Sequence, residues 1–299
     1  MLTQELMKEV RRLQVRTRRR VEGLFAGEYH TAFKGRGMEF ADVREYEPGD
    51  DVRAIDWNVT ARAGRPFIKR FVEERELTVV LAVDLSASGA FSSSTAADAR
   101  LKSRIAIEAA AVLAMSASIN HDRVGLCLFT DEIELFLRPG KGRGHSLRLL
   151  RELLNFRPRA RGTDIAGAVL HLGHVLKRRG TVFLISDFLA PAGPAKLETP
   201  LRLLSRKHEV VALHIVDPRD RSLPNVGLVE VVDAESGGRR MVDTASRRVR
   251  ESYAAAAADR DAALTTLFGR ARVDRVELST QRPFVSDLER YFRMKERRR

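Results

Sequence analysis

A chain of 299 residues with 44% apolar content can build one large or two modest domains around a real core, which excludes a fibrous or disordered protein. A net charge of +13 leaves anionic partners open, and a single cysteine excludes an internal disulfide. No run approaches the roughly 20 apolar residues that span a bilayer, and Met1 to Arg20 lacks the apolar core and cleavage site of a signal peptide, so a cytoplasmic protein is expected.

The chain opens on an amphipathic pattern. Leu2, Leu6, Val10, Leu13, Val21 and Leu24 recur at helical spacing, which predicts a basic helix within residues 1–34. Gly27 and Gly35-Arg36-Gly37 break it. Residues 35–76 read as a small β-rich module, with turns at Glu47-Pro48-Gly49-Asp50 and Ala63-Gly64-Arg65-Pro66. Asp50, Asp51 and Asp56 alternate with Arg53, Arg62 and Arg65, which predicts a local ion-pair network, and Trp57 is the expected anchor of the module on the sheet that follows.

Residues 77–299 alternate strands with helices. Strands are predicted at 77–84, 124–129, 132–137, 182–187, 210–216 and 273–278, and helices at 97–119, 146–155, 165–177, 195–206 and 245–268. This alternation implies an α/β fold with a doubly wound, mostly parallel sheet and helices on both faces. The tight connection Phe129-Thr130-Asp131-Glu132 predicts a hairpin, so one edge strand runs antiparallel. Two short strands are expected around Ser236-Gly237-Gly238.

The chemistry gathers after Leu77–Val83, a run apolar on both faces and thus fit for the middle of a parallel sheet. Asp84, Ser86 and Ser88 follow at alternate positions, where the carboxyl ends of parallel strands bind ligands. Carboxylate and hydroxyl oxygens are hard donors suited to Mg²⁺ or Mn²⁺. Thr163, before the helical segment at Ile165, and Asp187, at the end of Thr181–Ser186, are candidates to complete the site.

Asp84-x-Ser86-x-Ser88, then Thr163, then Asp187, resembles the metal-ion-dependent adhesion site of von Willebrand factor A domains. The resemblance implies that Ser86, Ser88 and Thr163 offer oxygens to the metal. It implies that Asp84 and Asp187 act through water or through hydrogen bonds to those hydroxyls, and that a partner's carboxylate completes the coordination. Gly35-Arg36-Gly37-Met38-Glu39-Phe40, the block Arg44 to Trp57 with its Pro48-Gly49-Asp50-Asp51 and Ile55-Asp56-Trp57, and Thr60-Ala61-Arg62 resemble the bacterial domain of unknown function 58 family. That family places this block ahead of a von Willebrand factor A-like domain and commonly neighbours MoxR-type AAA+ ATPases, which implies such an ATPase or its client as partner.

The expected function is therefore a non-enzymatic, metal-dependent interaction adaptor. Two alternatives stand beside it. Arg11 to Arg20 and Arg293 to Arg299 are basic ends that suit nucleic acid or an anionic surface, although no aromatics are interleaved for base stacking. A Mg²⁺-dependent hydrolase would use Asp84 as nucleophile, but Ser86 stands where the general acid belongs and no Gly-x-Ser-x-Gly elbow is present. Other features have plainer readings. Pro139 to Ser146 matches no phosphate-loop pattern and reads as a basic loop beside the metal face. His171 and His174 lack further zinc ligands, Asp164 suits a helix N-terminus, and Cys127 sits in an apolar run as a packing residue.

Overall fold

The computed structural model describes residues 38–73, 76–91, 101–190 and 193–298. The expected N-terminal helix and its arginines, the Gly35–Gly37 break, and the start of the helix expected from residue 97 lie outside the described residues. The chain divides into two compact units, Phe33–Leu77 and the residues from Thr78 onward.

In the smaller unit, β1 (Met38–Glu45) pairs antiparallel with β2 (Phe67–Glu73). Between them lies a helix that strand periodicity did not announce, α1 (Trp57–Ala63), which Gly64 ends in the left-handed conformation at φ 69°. The acidic residues do not form the alternating network expected of them. Asp50 takes a two-pronged contact from Arg44, at 2.9 and 2.7 Å. Asp51 and Asp56 instead cap backbone N–H groups, the first at Arg53 and the second at Asn58 and Val59. Capping was open to them because each sits one residue ahead of a helical turn. Arg65 pairs with Glu45 instead. Trp57 is 68% exposed.

The larger unit is an α/β domain. Its strands are β3 (Thr78–Asp84), β4 (Arg123–Phe129), β5 (Ile133–Gly140), β6 (Thr181–Ser186), β7 (Glu209–Val216), β8 (Leu228–Val232), β9 (Arg239–Asp243) and β10 (Asp274–Ser279). Its helices are α2 (Lys102–Ile119), α3 (Arg143–Asn155), α4 (Ile165–Val175), α5 (Ala195–Lys207), α6 (Arg247–Ala271) and α7 (Val285–Arg297). Six strands form one sheet in the order β10-β7-β6-β3-β4-β5. Neighbours run parallel except β5, which folds back antiparallel on β4 as the hairpin reading required. β8 and β9 form a separate antiparallel hairpin.

The period of two along β3 sorts its side chains to opposite faces. Val80 and Ala82 join Cys127, Phe129, Val182 and Leu184 in a core closed by α4, α5 and α6. Val79, Leu81 and Val83 are as deeply buried on the other face, which α2 covers. The alanines of α2, from Ala106 to Ala117, are buried and let that helix lie close to the strand. Gly180 allows β6 to start flush against β3, because a Cβ there would lie 2.5 Å from the Thr78 carbonyl oxygen. Cys127 is buried and its thiol is pushed up to about 12 by burial, so it packs and does not react.

The chain leaves β3 toward β4 on one side and later returns to place β6 on the other, so β3 and β6 flank a switch point. Crevices at such points, outside the carboxyl ends of the strands, are where open α/β sheets hold ligands.

Candidate functional site

Register alone brings the first candidates together. Val83 pairs with Ile185, so Asp84 emerges beside Ser186 and Asp187. Asp84, Ser86, Ser88, Ser186 and Asp187 line one cleft. Asp84 is fully engaged: one carboxylate oxygen accepts the Ser86 N–H at 2.9 Å and the other accepts the Ser186 hydroxyl at 2.6 Å. Burial, reinforced by the like charge of Asp187, pushes its carboxyl up to about 6.

Asp187 is aimed by a strained turn. Phe188 has φ 55°, a left-handed value rare for an aromatic residue. Its ring is buried edge-on against His214 at 5.5 Å and Phe268 at 5.2 Å. That packing holds the turn, and the Leu189 N–H donates to the Asp187 carboxylate at 3.1 Å.

The cleft also contains a residue absent from the sequence reading. Lys102, whose side chain is 2% exposed, donates to Asp187 at 3.1 Å and to Asp220 at 2.8 Å. Burial works against the charged amine, but the two carboxylates outweigh it and hold the Lys102 pKa above the ordinary lysine value. The available signal was a lysine opening an alanine-rich helix that is largely apolar after its first two turns.

Thr163 lines the neighbouring groove with Phe188, Ala190 and Leu197. Its loop still lies over the same end of the sheet, since Ala87 N–H donates to the Arg161 carbonyl at 3.0 Å and Asp164 N–H to the Thr130 carbonyl at 2.9 Å. The Thr163 hydroxyl donates at 2.6 Å to Glu235, between β8 and β9. Glu235 was not foreseen, because 72 residues separate the two and no local pattern links them. Asp164 caps α4 by accepting the Gly167 N–H at 3.0 Å.

One expectation changes. The basic Gly140–Ser146 loop does not flank the site. Gly140 pairs with Val124, at the start of β4, because β5 runs back along β4. That end is roughly 16 Å along the strand from Phe129. There, His145 contacts the Val124 carbonyl at 2.7 Å. His171 and His174 are helix residues, the first edge-on to Phe136 and the second bonded to the Leu170 carbonyl.

The oxygen set is of the hard kind that a divalent ion such as Mg²⁺ takes. The hydroxyls of Ser86 and Ser88 share a hydrogen bond at 3.0 Å. Each Asp84 oxygen already accepts a local hydrogen bond, which fits a supporting role. Among the described residues no group of three or more His, Cys, Asp or Glu side chains converges as a metal cage, so a softer ion such as Zn²⁺ has no such cage among them.

A chain from Mycobacterium tuberculosis, called uncharacterized, is 33% identical over 291 residues, covering 96% of this chain and 89% of its own length. A Mycobacterium avium protein, also called uncharacterized, is 34% identical over 165 residues, covering 54% of this chain and 94% of its own. Among solved structures, an aerotolerance-related membrane protein from Bacteroides fragilis aligns with TM-score 0.49 and 14% identity, covering 75% of this chain and all (100%) of its own. BatB from Bacteroides thetaiotaomicron aligns with TM-score 0.45 and 15% identity over the same shares, 75% and 100%. The model of the family described as protein of unknown function DUF58 matches residues 42–263, and the chain belongs to that family.

Proposed function

We propose that this protein is a non-enzymatic interaction adaptor that recognises a partner's carboxylate through a Mg²⁺ or Mn²⁺ ion held at Asp84, Ser86, Ser88, Thr163 and Asp187. The observation that carries the reading is the convergence of Asp84, Ser86, Ser88 and Asp187 in one cleft at the switch point between β3 and β6. When bound, the ion would supply an electrophilic position for an outside anion. The chain's own part is to keep the two serine hydroxyls together and to fix Asp84 and Asp187 beside them, their carboxylates tied by Ser186, Lys102 and backbone N–H groups.

The arrangement gives less support to a hydrolase. The Ser186 hydroxyl is committed to Asp84. His214, which touches the same loop, has one ring nitrogen on the Asp187 carbonyl and the other facing Arg275, so neither is free to take a proton from serine. The family resemblance motivates a MoxR-type AAA+ ATPase, or that ATPase's client, as the partner, in a cytoplasmic setting. Among the described residues no helix is long and apolar enough to cross a membrane.

Calorimetric titration with Mg²⁺ tests the site. Wild type should bind, and Asp84→Ala should lose binding while keeping its fold, because β3 is packed by Val79 to Val83. Equal Mg²⁺ affinity in the two proteins overturns the assignment. Affinity purification with and without EDTA then identifies the partner: recovery of an ATPase only with the site intact supports the adaptor reading.

A further inference from the structure

The β8–β9 hairpin is held to its domain in an unusual way. Leu228, Val231, Val232 and Met241 are all exposed, and only the cross-paired Val229 and Val242 are half-buried among the hairpin's apolar side chains, so little apolar burial fixes it. Its turn is locally tight. The Asp233 N–H donates to the Gly238 carbonyl, and the Asp233 carboxylate accepts the N–H groups of Glu235 and Ser236 at 2.9 and 2.8 Å. At its base, buried Thr244 donates to the Gly227 carbonyl through its N–H at 2.8 Å and its hydroxyl at 2.5 Å. At its tip, Glu235 accepts the Thr163 hydroxyl. Among the described residues, this is the one hydrogen bond we find from residues 228–243 to the domain beyond the hairpin's base. The hairpin is thus hinged at Thr244 and latched at Glu235.

The latch brings a carboxylate to a residue assigned above to the site: Glu235 accepts the Thr163 hydroxyl, and the loop leading to that hydroxyl carries exposed Arg157, Arg159 and Arg161. Cations beside the site favour and steer acidic ligands. The strand that delivers Glu235 reads Val229-Glu230-Val231-Val232-Asp233-Ala234-Glu235, an acidic and apolar segment.

We infer that Glu235 is an internal ligand of the Thr163 side of the site, and that an acidic partner segment binds by displacing the β8–β9 hairpin. This rests on the carboxylate-recognition reading. A tethered ligand acts at millimolar effective concentration, so the site of the resting protein is largely self-occupied. Apparent affinity for an outside segment falls by the fraction of open sites.

The probe is a fluorescent peptide of this chain's own residues 229–237, with binding followed by anisotropy in Mg²⁺. The Glu235→Ala protein should bind it at least about tenfold more tightly than wild type, as expected if one site in ten is open at rest. A peptide carrying Glu235→Gln should lose the gain. Hydrogen exchange of the 228–243 amides should accelerate in Glu235→Ala and, independently, in Thr163→Val. Equal peptide affinity for wild type and Glu235→Ala, including no binding to either, overturns the latch, as does unchanged hairpin exchange in both variants. The Mg²⁺ titration against Asp84→Ala separates the two ideas. Metal binding lost in that variant while the peptide result is negative removes the latch alone. Absence of Mg²⁺ binding in wild type removes the reading beneath it.

Discussion

Replacing Lys102 by Met tests what balances the cleft. The substitution keeps the length and apolar stem of the side chain and removes only the ammonium, so little cavity cost is added. Two carboxylates, Asp187 and Asp220, lose their counter-charge. Asp187 is 4% exposed at its side chain and Asp220 is 17%, and Asp84 lies in the same cleft. Breaking a buried pair by removing one partner costs about 3–5 kcal/mol. The partial exposure of Asp220 places this case near the lower end, about 3 kcal/mol by the same range. Urea unfolding in EDTA at neutral pH measures it. Adding Asp187→Asn to the variant should recover part of the loss, because one orphaned charge is then gone. On the proposed reading, Mg²⁺ should stabilise Lys102→Met, by about 2.7 kcal/mol at a hundredfold excess over Kd. A loss below about 1 kcal/mol, the value of an exposed pair, would refute the claim that Lys102 neutralises the site.

Phe188→Ala should destabilise the domain by about 3–5 kcal/mol through loss of its buried ring and should slacken the turn that aims Asp187; urea unfolding and Mg²⁺ titration check the two effects, and a neutral variant contradicts both. His208 is buried with neither ring nitrogen hydrogen-bonded among the described residues, and burial, aided by Lys207 and Arg179, lowers its pKa below 6.5. The unfolded chain therefore binds a proton near pH 6.5 that the folded protein refuses, so this contribution to stability is intact above that pH and falls as pH drops below it; His208→Phe should flatten the slope of urea midpoint against pH, and an unchanged slope counts against the assignment. The competing reading, binding through the basic ends, is checked by mobility shift with DNA at physiological salt: no shift is expected, and a tight Mg²⁺-independent complex lost on trimming residues 1–20 would favour nucleic acid instead.

The large domain was readable because each element carries its own period. Leu77 to Val83 is apolar on both faces, as a central parallel strand must be, and the short Thr130–Glu132 connection admits only a hairpin. Asp84, Ser86 and Ser88 were readable for the same reason: a strand end fixes where its next residues emerge. α1 was missed because Trp57–Ala63 is only 7 residues long and has no buried face, so its signal lies in the capping Asp56 and not in periodicity. The Gly140 loop was placed at the wrong end of the sheet even though the hairpin was foreseen, since an antiparallel return carries the chain back to the amino ends of its neighbours. Lys102 and Glu235 were out of reach for a different reason. Their roles depend on contacts spanning 85 and 72 residues, which no local rule encodes.

Those two residues change the electrostatic character proposed for the site. A cleft with only Asp84 and Asp187 would demand an outside cation simply to stay folded. Lys102 removes that demand, since its ammonium already satisfies Asp187 and Asp220. Likewise, a bare Thr163 hydroxyl beside three arginines would attract any anion, and Glu235 meets that need from within. The two internal partners sit on separate elements, the first turn of α2 and the tip of the β8–β9 hairpin, so one does not have to leave for the other to do so. On the proposed reading, an incoming ion competes with a fixed ammonium that can turn to Asp220, and an incoming carboxylate competes with a hinged one. The first competition sets how much divalent ion is needed, and the second sets which acidic segments succeed. On that reading the site rests partly neutralised and closed, and it discriminates by what a partner must displace as much as by what it touches.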